Sequence, residues 1–563
     1  MIRIEYQTQR LSLRFFLLML VLFLFQAGFG LLLTAQHIDP TLLAGTLNFN
    51  VARAEHTNLG ILWVLSGFIG AILFVGPLLS KRELAAPGLI KFLFYALLAV
   101  VAWNVATQWL AQQGNAGWWL GQPMLQEGLE YLEGGRITDV VIFVGFAILC
   151  YVLLRTFPRV SNWNEIHWGL GIGVVALTLV WVFGMFFVER LDLQEYFRWY
   201  VVHYWVEGVW EVIHISLVGF LLVLMFGASI KSVGYAVFWG IAFVWLSGLL
   251  GNAHHYFWIG TPEFWQFWGS LFSALEPLPL IFCFWHIYLD AHQDRKPIGN
   301  VPAFAFLLGS VVLEQVGAGI LGFTMTFALT NVWSHGTWVT LSHAHLALFG
   351  TFGMLGLAAA YYAVPLMRGV VQQFDQRLGK LAFWLVFTGM LGLGFAFAIG
   401  GTVQVFVYRT LGLDWFGGDV APAMQFAKLM VPAFGLVFMI GVCLLVYDLL
   451  TLGLRAKATI DGPAAAPAPT GWGRRLYGWE TGLWLLAMWV FGAIITLGLL
   501  SFNLHSVQGG HRLFPYLMAG IGYPGLLLTT LLFVGRFLRS LEARGHAAAA
   551  QAVLPAGLQA ASG

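Results

Sequence analysis

Runs of about twenty or more apolar residues recur along this chain, and no other feature constrains its fold as tightly. In a hydrocarbon layer about 30 Å thick, only a helix or a closed barrel satisfies every backbone N–H and C=O without water. The runs fall near 13–34, 58–80, 88–111, 138–157, 168–188, 200–228, 233–258, 265–290, 302–328, 340–366, 380–407, 425–451, 478–501 and 514–537, which predicts fourteen transmembrane helices. Only 10% of the 563 residues are charged, where soluble domains carry about 25%. The expected class is therefore an all-α polytopic membrane protein. The first run follows Arg3 and Arg10, but no small-residue cleavage pattern precedes His37 and further spans follow at once. It reads as a retained helix rather than a signal peptide.

Charge sets the topology. Arg3, Arg10 and Arg14, Lys81, Arg82 and Lys91, Arg155 and Arg159, Lys231, Arg295 and Lys296, Arg368, Arg377 and Lys380, Arg455 to Arg475, and Arg536 to Arg544 mark the N-terminus, every even-numbered connection and the C-terminus. The positive-inside rule then places both termini in the cytoplasm. The net charge of +2 gives no reason to expect nucleic acid. An Ala/Pro-rich stretch divides the chain into a twelve-helix core at 1–452, a linker at 453–476, a two-helix appendix at 477–540 and a poorly ordered tail at 541–563. Cys150, Cys283 and Cys443 are too dispersed for a disulfide framework, and no CxxCH motif attaches a c-type haem.

Against this apolar background, ionisable groups at membrane depth point to function. The segment 199–211, WYVVHYWVEGVWE, carries His203, Glu207 and Glu211 at spacings of four, nearly one face of a helix. With the orientation above, His56, His203, His254, His255, His343 and His345, from four spans, reach one layer in the outer leaflet. Independent core histidines have no reason to share a depth; the others, His214 among them, read as hydrogen-bonded core residues. His343 and His345 point about 200° apart, as a helix between two haem planes requires. His254 and His255 can supply two nitrogens to one metal where their helix unwinds. With His203 and a Glu207 oxygen the set suits a hard non-haem iron better than copper. Glu211 and Glu276 are buried carboxyls suited to proton donation.

The elements ARAEHTN, HYWVEGVWE, HHYFWIGTPEFW, SALEPLP and HAHLALFG, in this order over about 40–450, resemble the catalytic large subunit of bacterial nitric oxide reductases in the haem–copper oxidase superfamily. The resemblance implies a twelve-helix bundle, so the last two helices depart from the family. It implies that His56 and His345 bind a low-spin haem b and that His343 binds haem b3. His203, His254, His255 and Glu207 would bind the non-haem iron, and Glu211 and Glu276 would serve proton delivery and iron tuning. In GLEYLEG, Glu130 would help hold a calcium ion bridging haem propionates, with Glu133 nearby. Two nitric oxide molecules would be reduced to nitrous oxide and water.

The rival readings are an oxygen reductase of the same superfamily, an NO dismutase-like relative, a dihaem electron carrier and a proton-coupled transporter without haem. The main oxidase branches place a tyrosine one turn after the span-six histidine; here that position is Glu207, and Tyr204 faces elsewhere. The chain begins directly with span one and lacks CxxCH, so the expected electron donor is a membrane-anchored cytochrome c subunit docking near 112–137. No string of buried acids reaches the cytoplasmic side. Protons are therefore expected from outside, with non-electrogenic turnover in a bacterial inner membrane.

Overall fold

The computed structural model describes residues 4–112, 134–186, 188–278, 281, 299–368, 375–410, 412, 420–452, 472–508 and 513–553. Thirteen helices among them are long and apolar enough to cross a membrane. We label them with one shorter helix in chain order: α1 Gln7–Gln36, α2 Phe49–Ser80, α3 Pro87–Leu110, α4 Gly135–Thr156, α5 Glu165–Met185, α6 Leu191–Phe226 and α7 Ile230–Tyr256. The shorter helix, α8, is Phe264–Leu275. Then follow α9 Val301–Met325, α10 Trp338–Met367, α11 Arg377–Arg409, α12 Pro422–Thr451, α13 Thr481–Asn503 and α14 Pro515–Arg539. The expected eighth span, 265–290, begins as α8, and most of its second half lies outside the described residues. So do Glu127, Glu130 and Glu133 of the loop expected on the outer side and most of the linker at 453–476. The helix of α14 continues to Val553.

Lipid gives helices no hydrophobic reason to associate, so the bundle depends on close backbone approach and on buried polar contacts. A Cβ on Gly317 of α9 would collide with the Leu346 backbone of α10, and one on Gly248 of α7 would sit 2.9 Å from the Gly208 Cα of α6. These two contacts bring α9 against α10 and α7 against α6. The most enclosed spans are α2, α6 and α10, each with 89% of its apolar window buried, and α9 with 83%. His56, His203, His343 and His345 all lie on these inner helices.

Three inner segments depart from α winding. Tyr200–Trp210 in α6, Glu314–Leu321 in α9 and Leu348–Gly353 in α10 are π-helical. Helices wound this way usually mark functional sites, because the wider turn releases backbone groups and redirects side chains. Here they carry His203 and Glu207, Glu314, and the turn just after His345. The 3.6-residue spacing expected for 199–211 therefore applies only from Glu211, where α winding resumes.

The C-terminal helices pack on the core. Trp333 donates to Asn503 Oδ1 at 2.9 Å, and Asn503 Nδ2 donates to the Leu329 carbonyl at 2.9 Å. Tyr523 of α14 is fully buried against Phe395 of α11.

Candidate metal and haem centre

His203 sits on the π-helical part of α6, while His254 and His255 lie on Asn252–Tyr256, where α7 tightens to a 3-10 turn. That tightening lets neighbouring imidazoles converge. One ligand atom from each of His203, His254 and His255 falls within 4.8 Å of the others. Glu207 Oε2 approaches His203 Nε2 at 2.5 Å. Two lone-pair-bearing atoms that close require a proton or a cation between them.

The partners of the ring nitrogens decide their tautomers. Ser273 Oγ donates to the Gly251 carbonyl at 3.3 Å, so it accepts from His254 Nδ1 at 2.7 Å. That leaves the His254 Nε2 lone pair for a metal. His255 is held by stacking on Trp199, with centroids 3.7 Å apart and planes 9° apart, and its Nε2 lies 3.0 Å from His203 Nδ1. A cluster of three imidazoles and one carboxylate fits a divalent transition metal.

The other three histidines follow one rule. His343 Nδ1 meets the Gly317 carbonyl at 2.8 Å, His345 Nδ1 the Leu341 carbonyl at 2.8 Å, and His56 Nδ1 the Gln26 carbonyl at 3.0 Å. A carbonyl only accepts, so each Nδ1 carries the proton and each Nε2 keeps its lone pair. The His56 and His345 rings lie with centroids 6.1 Å apart and planes 27° apart. Two metal–imidazole bonds of about 2 Å, plus about 1 Å of ring radius on each side, span about 6 Å. The pair therefore fits axial ligation of one haem iron. Gly30 cradles His56: a Cβ there would lie 2.7 Å from the ring. His343 lies within electrostatic range of His203, His254 and His255, on the pocket they form.

The carboxyls gather beside this pocket. Glu276 hydrogen-bonds to Glu207 and to Ser247, and Glu211 lies within electrostatic range of Glu207 and Glu276. Glu211 and Glu276 are buried, at 4% and 6% exposure. Of the expected site residues, His203, His254, His255, His343, Glu207, Glu211 and Glu276 lie near one another and His56 pairs with His345, while Glu130 lies outside the described residues. The sequence reading passed over Glu314, which is 1% exposed and within electrostatic range of Glu211. A carboxyl inside the apolar run VVLEQVGAG was itself the signal.

A helical membrane bundle that collects six imidazoles and buried carboxyls in this way has the make-up of a respiratory haem–metal oxidoreductase. Residues 10–437 match the family described as cytochrome c and quinol oxidase polypeptide I, and the chain belongs to that family. It is a multi-pass membrane oxidoreductase, and its family implies haem and metal cofactors and a redox partner. More particularly, it is a homologue of a nitric oxide reductase subunit from Stutzerimonas stutzeri, with 31% identity over 469 residues, 82% of this chain and 98% of that one. It is also similar to a cytochrome c oxidase subunit 1 homologue of Bradyrhizobium diazoefficiens, 22% identical over 62% of this chain and 66% of that one. In fold it matches a haem–copper terminal oxidase dimer solved by cryo-EM, with a TM-score of 0.64 at 15% identity, covering 95% of this chain and all of that one.

Proposed function

We propose that this chain is the catalytic subunit of a nitric oxide reductase, converting two NO molecules to N2O and water. The observation that carries this reading is Glu207 Oε2 beside His203 Nε2 at 2.5 Å, within the three-histidine cluster. A carboxylate added to three imidazoles favours iron, where an oxygen-reducing copper site would be all-nitrogen. Tyr204 packs over Gly208 and edge-on to Trp245, and so does not take the place of Glu207.

In this reading His56 and His345 hold the low-spin haem b, His343 holds haem b3, and His203, His254, His255 and Glu207 hold the non-haem iron. When bound, the haem iron held by His343 and the non-haem iron held by His203, His254, His255 and Glu207 would supply electrons and binding positions for nitrogen oxides. The protein does the rest. Ser273 and Trp199 fix the orientations of His254 and His255. Glu211 and Glu276 supply protons to the oxygen that leaves as water. Glu130 would contribute to a calcium site. A membrane-anchored cytochrome c would deliver electrons on the outer face of a bacterial inner membrane, with the pocket in the outer leaflet and both chain termini in the cytoplasm. The appended segment 477–540 would brace the core or meet a partner.

The test is metal and haem analysis of the purified complex with an NO consumption assay. Two b-type haems, one non-haem iron and NO turnover are expected. Copper at the histidine cluster with oxygen reduction and no NO turnover would replace this reading with that of a terminal oxidase.

A further inference from the structure

One buried ionisable pair is unused by the proposed chemistry. His214 of α6 is completely buried, Glu314 of α9 is 1% exposed, and His214 Nδ1 lies 3.5 Å from Glu314 Oε1. Neither Glu314 oxygen has a hydrogen-bond partner among the described residues.

The surrounding hydrogen bonds set the protonation of this pair. Ser310 Oγ donates to the Thr351 carbonyl at 2.6 Å, so its only hydrogen is committed. It must therefore accept from His214 Nε2, 2.8 Å away. Nε2 then carries a hydrogen permanently. Were His214 neutral and Glu314 ionised, a lone pair on Nδ1 would face a carboxylate in a dry interior, with nothing between them. The pair therefore holds one proton, on Nδ1 or on the Glu314 carboxyl, as imidazolium with carboxylate or as imidazole with carboxylic acid. Both forms hold the same single proton.

Phe352 closes one side of His214, with centroids 5.8 Å apart and planes at 89°. Gln315 stands beside Glu314. The charged neighbour on the remaining side is Glu211, one turn from Glu207 on α6, with Glu276 beyond it. Toward the cytoplasm, residues 215–226 of α6 and 301–313 of α9 include no titratable side chain.

We propose that Glu314 and His214 form a proton-holding pair that reloads Glu211 during turnover. The inference rests on the reading of the His203–Glu207 pocket as the place where reduction consumes protons. Glu211 gives its proton to the substrate oxygen that leaves as water and becomes a carboxylate. The proton between Glu314 and His214 moves to Glu211. A proton taken up from the outer aqueous phase and passed back through Glu211 then refills the pair. No electrons move in these steps, and each proton lost by one group is gained by the next. Both residues act through Glu211 and touch no substrate.

The bland alternative is a buried pair that only ties α6 to α9. Redox-induced infrared difference spectroscopy on the intact, haem-loaded protein separates the two. The proposal expects a D2O-sensitive carboxyl or imidazolium band on reduction that is lost in E314Q, shifted in E314D and perturbed in E211Q. NO turnover in E314Q should fall about tenfold or more at unchanged haem and metal content. If E314Q does not fold, E314D carries the same readout, because it keeps the carboxyl and moves its band. Redox bands identical in wild type, E314Q and E314D would overturn the proposal, even if E314Q were less heat-stable. The infrared signal arises from reduction alone. A protein that shows the Glu314 band but consumes no NO would sink the functional reading and leave this pair standing. NO turnover with no Glu314 band would do the reverse.

Discussion

At the scale of single residues, the orientation of each imidazole is set by the group behind it. Ser273 holds His254 through Nδ1, so Ser273→Ala leaves that ring free to turn. Metal affinity should fall about 10–100-fold, measured by metal analysis after dialysis against a chelator, with the haem spectrum retained. Gly30 is the complementary case. A methyl group at Gly30 would press on the His56 ring at 2.7 Å. Gly30→Ala should therefore alter the low-spin haem absorption band, and unchanged spectra would count against His56 as its axial ligand. How much of this was legible in sequence varies by residue. The six histidines could be expected at one depth because topology orders the spans, and four of them meet in the pocket while His56 pairs with His345. The serines and carbonyls that choose their tautomers were not, because Ser273 and Gly317 meet their histidines across 19 and 26 positions. Glu314 was readable as a misplaced carboxyl, but its partner His214 looked like one more core histidine until α6 and α9 were brought together.

At the scale of elements, span positions were legible and winding was not. Lipid leaves a helix as nearly the only choice for a long apolar run, so expected 302–328 and 340–366 appear as Val301–Met325 and Trp338–Met367. Hydropathy says nothing about a π turn, which arises from packing and backbone release. A one-residue deletion between Tyr200 and Trp210 would let that stretch relax to α winding and turn His203 about 100° relative to Glu211. Such a variant should insert normally yet lose the non-haem metal, which metal analysis of the purified protein checks. The connection between α2 and α3 offers a pH test. Glu83 is slightly raised by burial, but hydrogen bonds from Thr8 and Gln7 more than offset this and hold it below 4.5. Because its folded value is depressed, its contribution is present above the ordinary carboxylate range and is lost as pH falls through the lowered value. Glu83→Gln should lower Tm at neutral pH, and the gap from wild type should close in acid. On the other side of the core, Gly492 of α13 lies against Ile320 of α9, where a Cβ would come within 2.5 Å. Gly492→Leu should destabilise the docked helix by about 1–3 kcal/mol, seen as a lower thermal midpoint of the purified protein.

At the scale of the whole molecule, the His214–Glu314 pair has polar neighbours on one side only of its own two helices. Residues 215–226 of α6 and 301–313 of α9 carry no titratable side chain, and the buried groups nearer that end of the bundle, His167 and the Tyr361-bonded Asp448, lie on other helices. Turnover in liposomes should therefore move no net charge across the membrane; a voltage built up during NO reduction would contradict this. The serine hydroxyls give the arrangement its electrical character. Ser310 is locked as donor to Thr351 and as acceptor from His214, so it cannot pass a proton on without first breaking both contacts. In circuit terms the Glu314–His214 pair is a capacitor with one terminal, charged and discharged from the same side. An applied membrane potential then finds no path through this pair to act upon, and the rate of the enzyme should be indifferent to the energetic state of the cell.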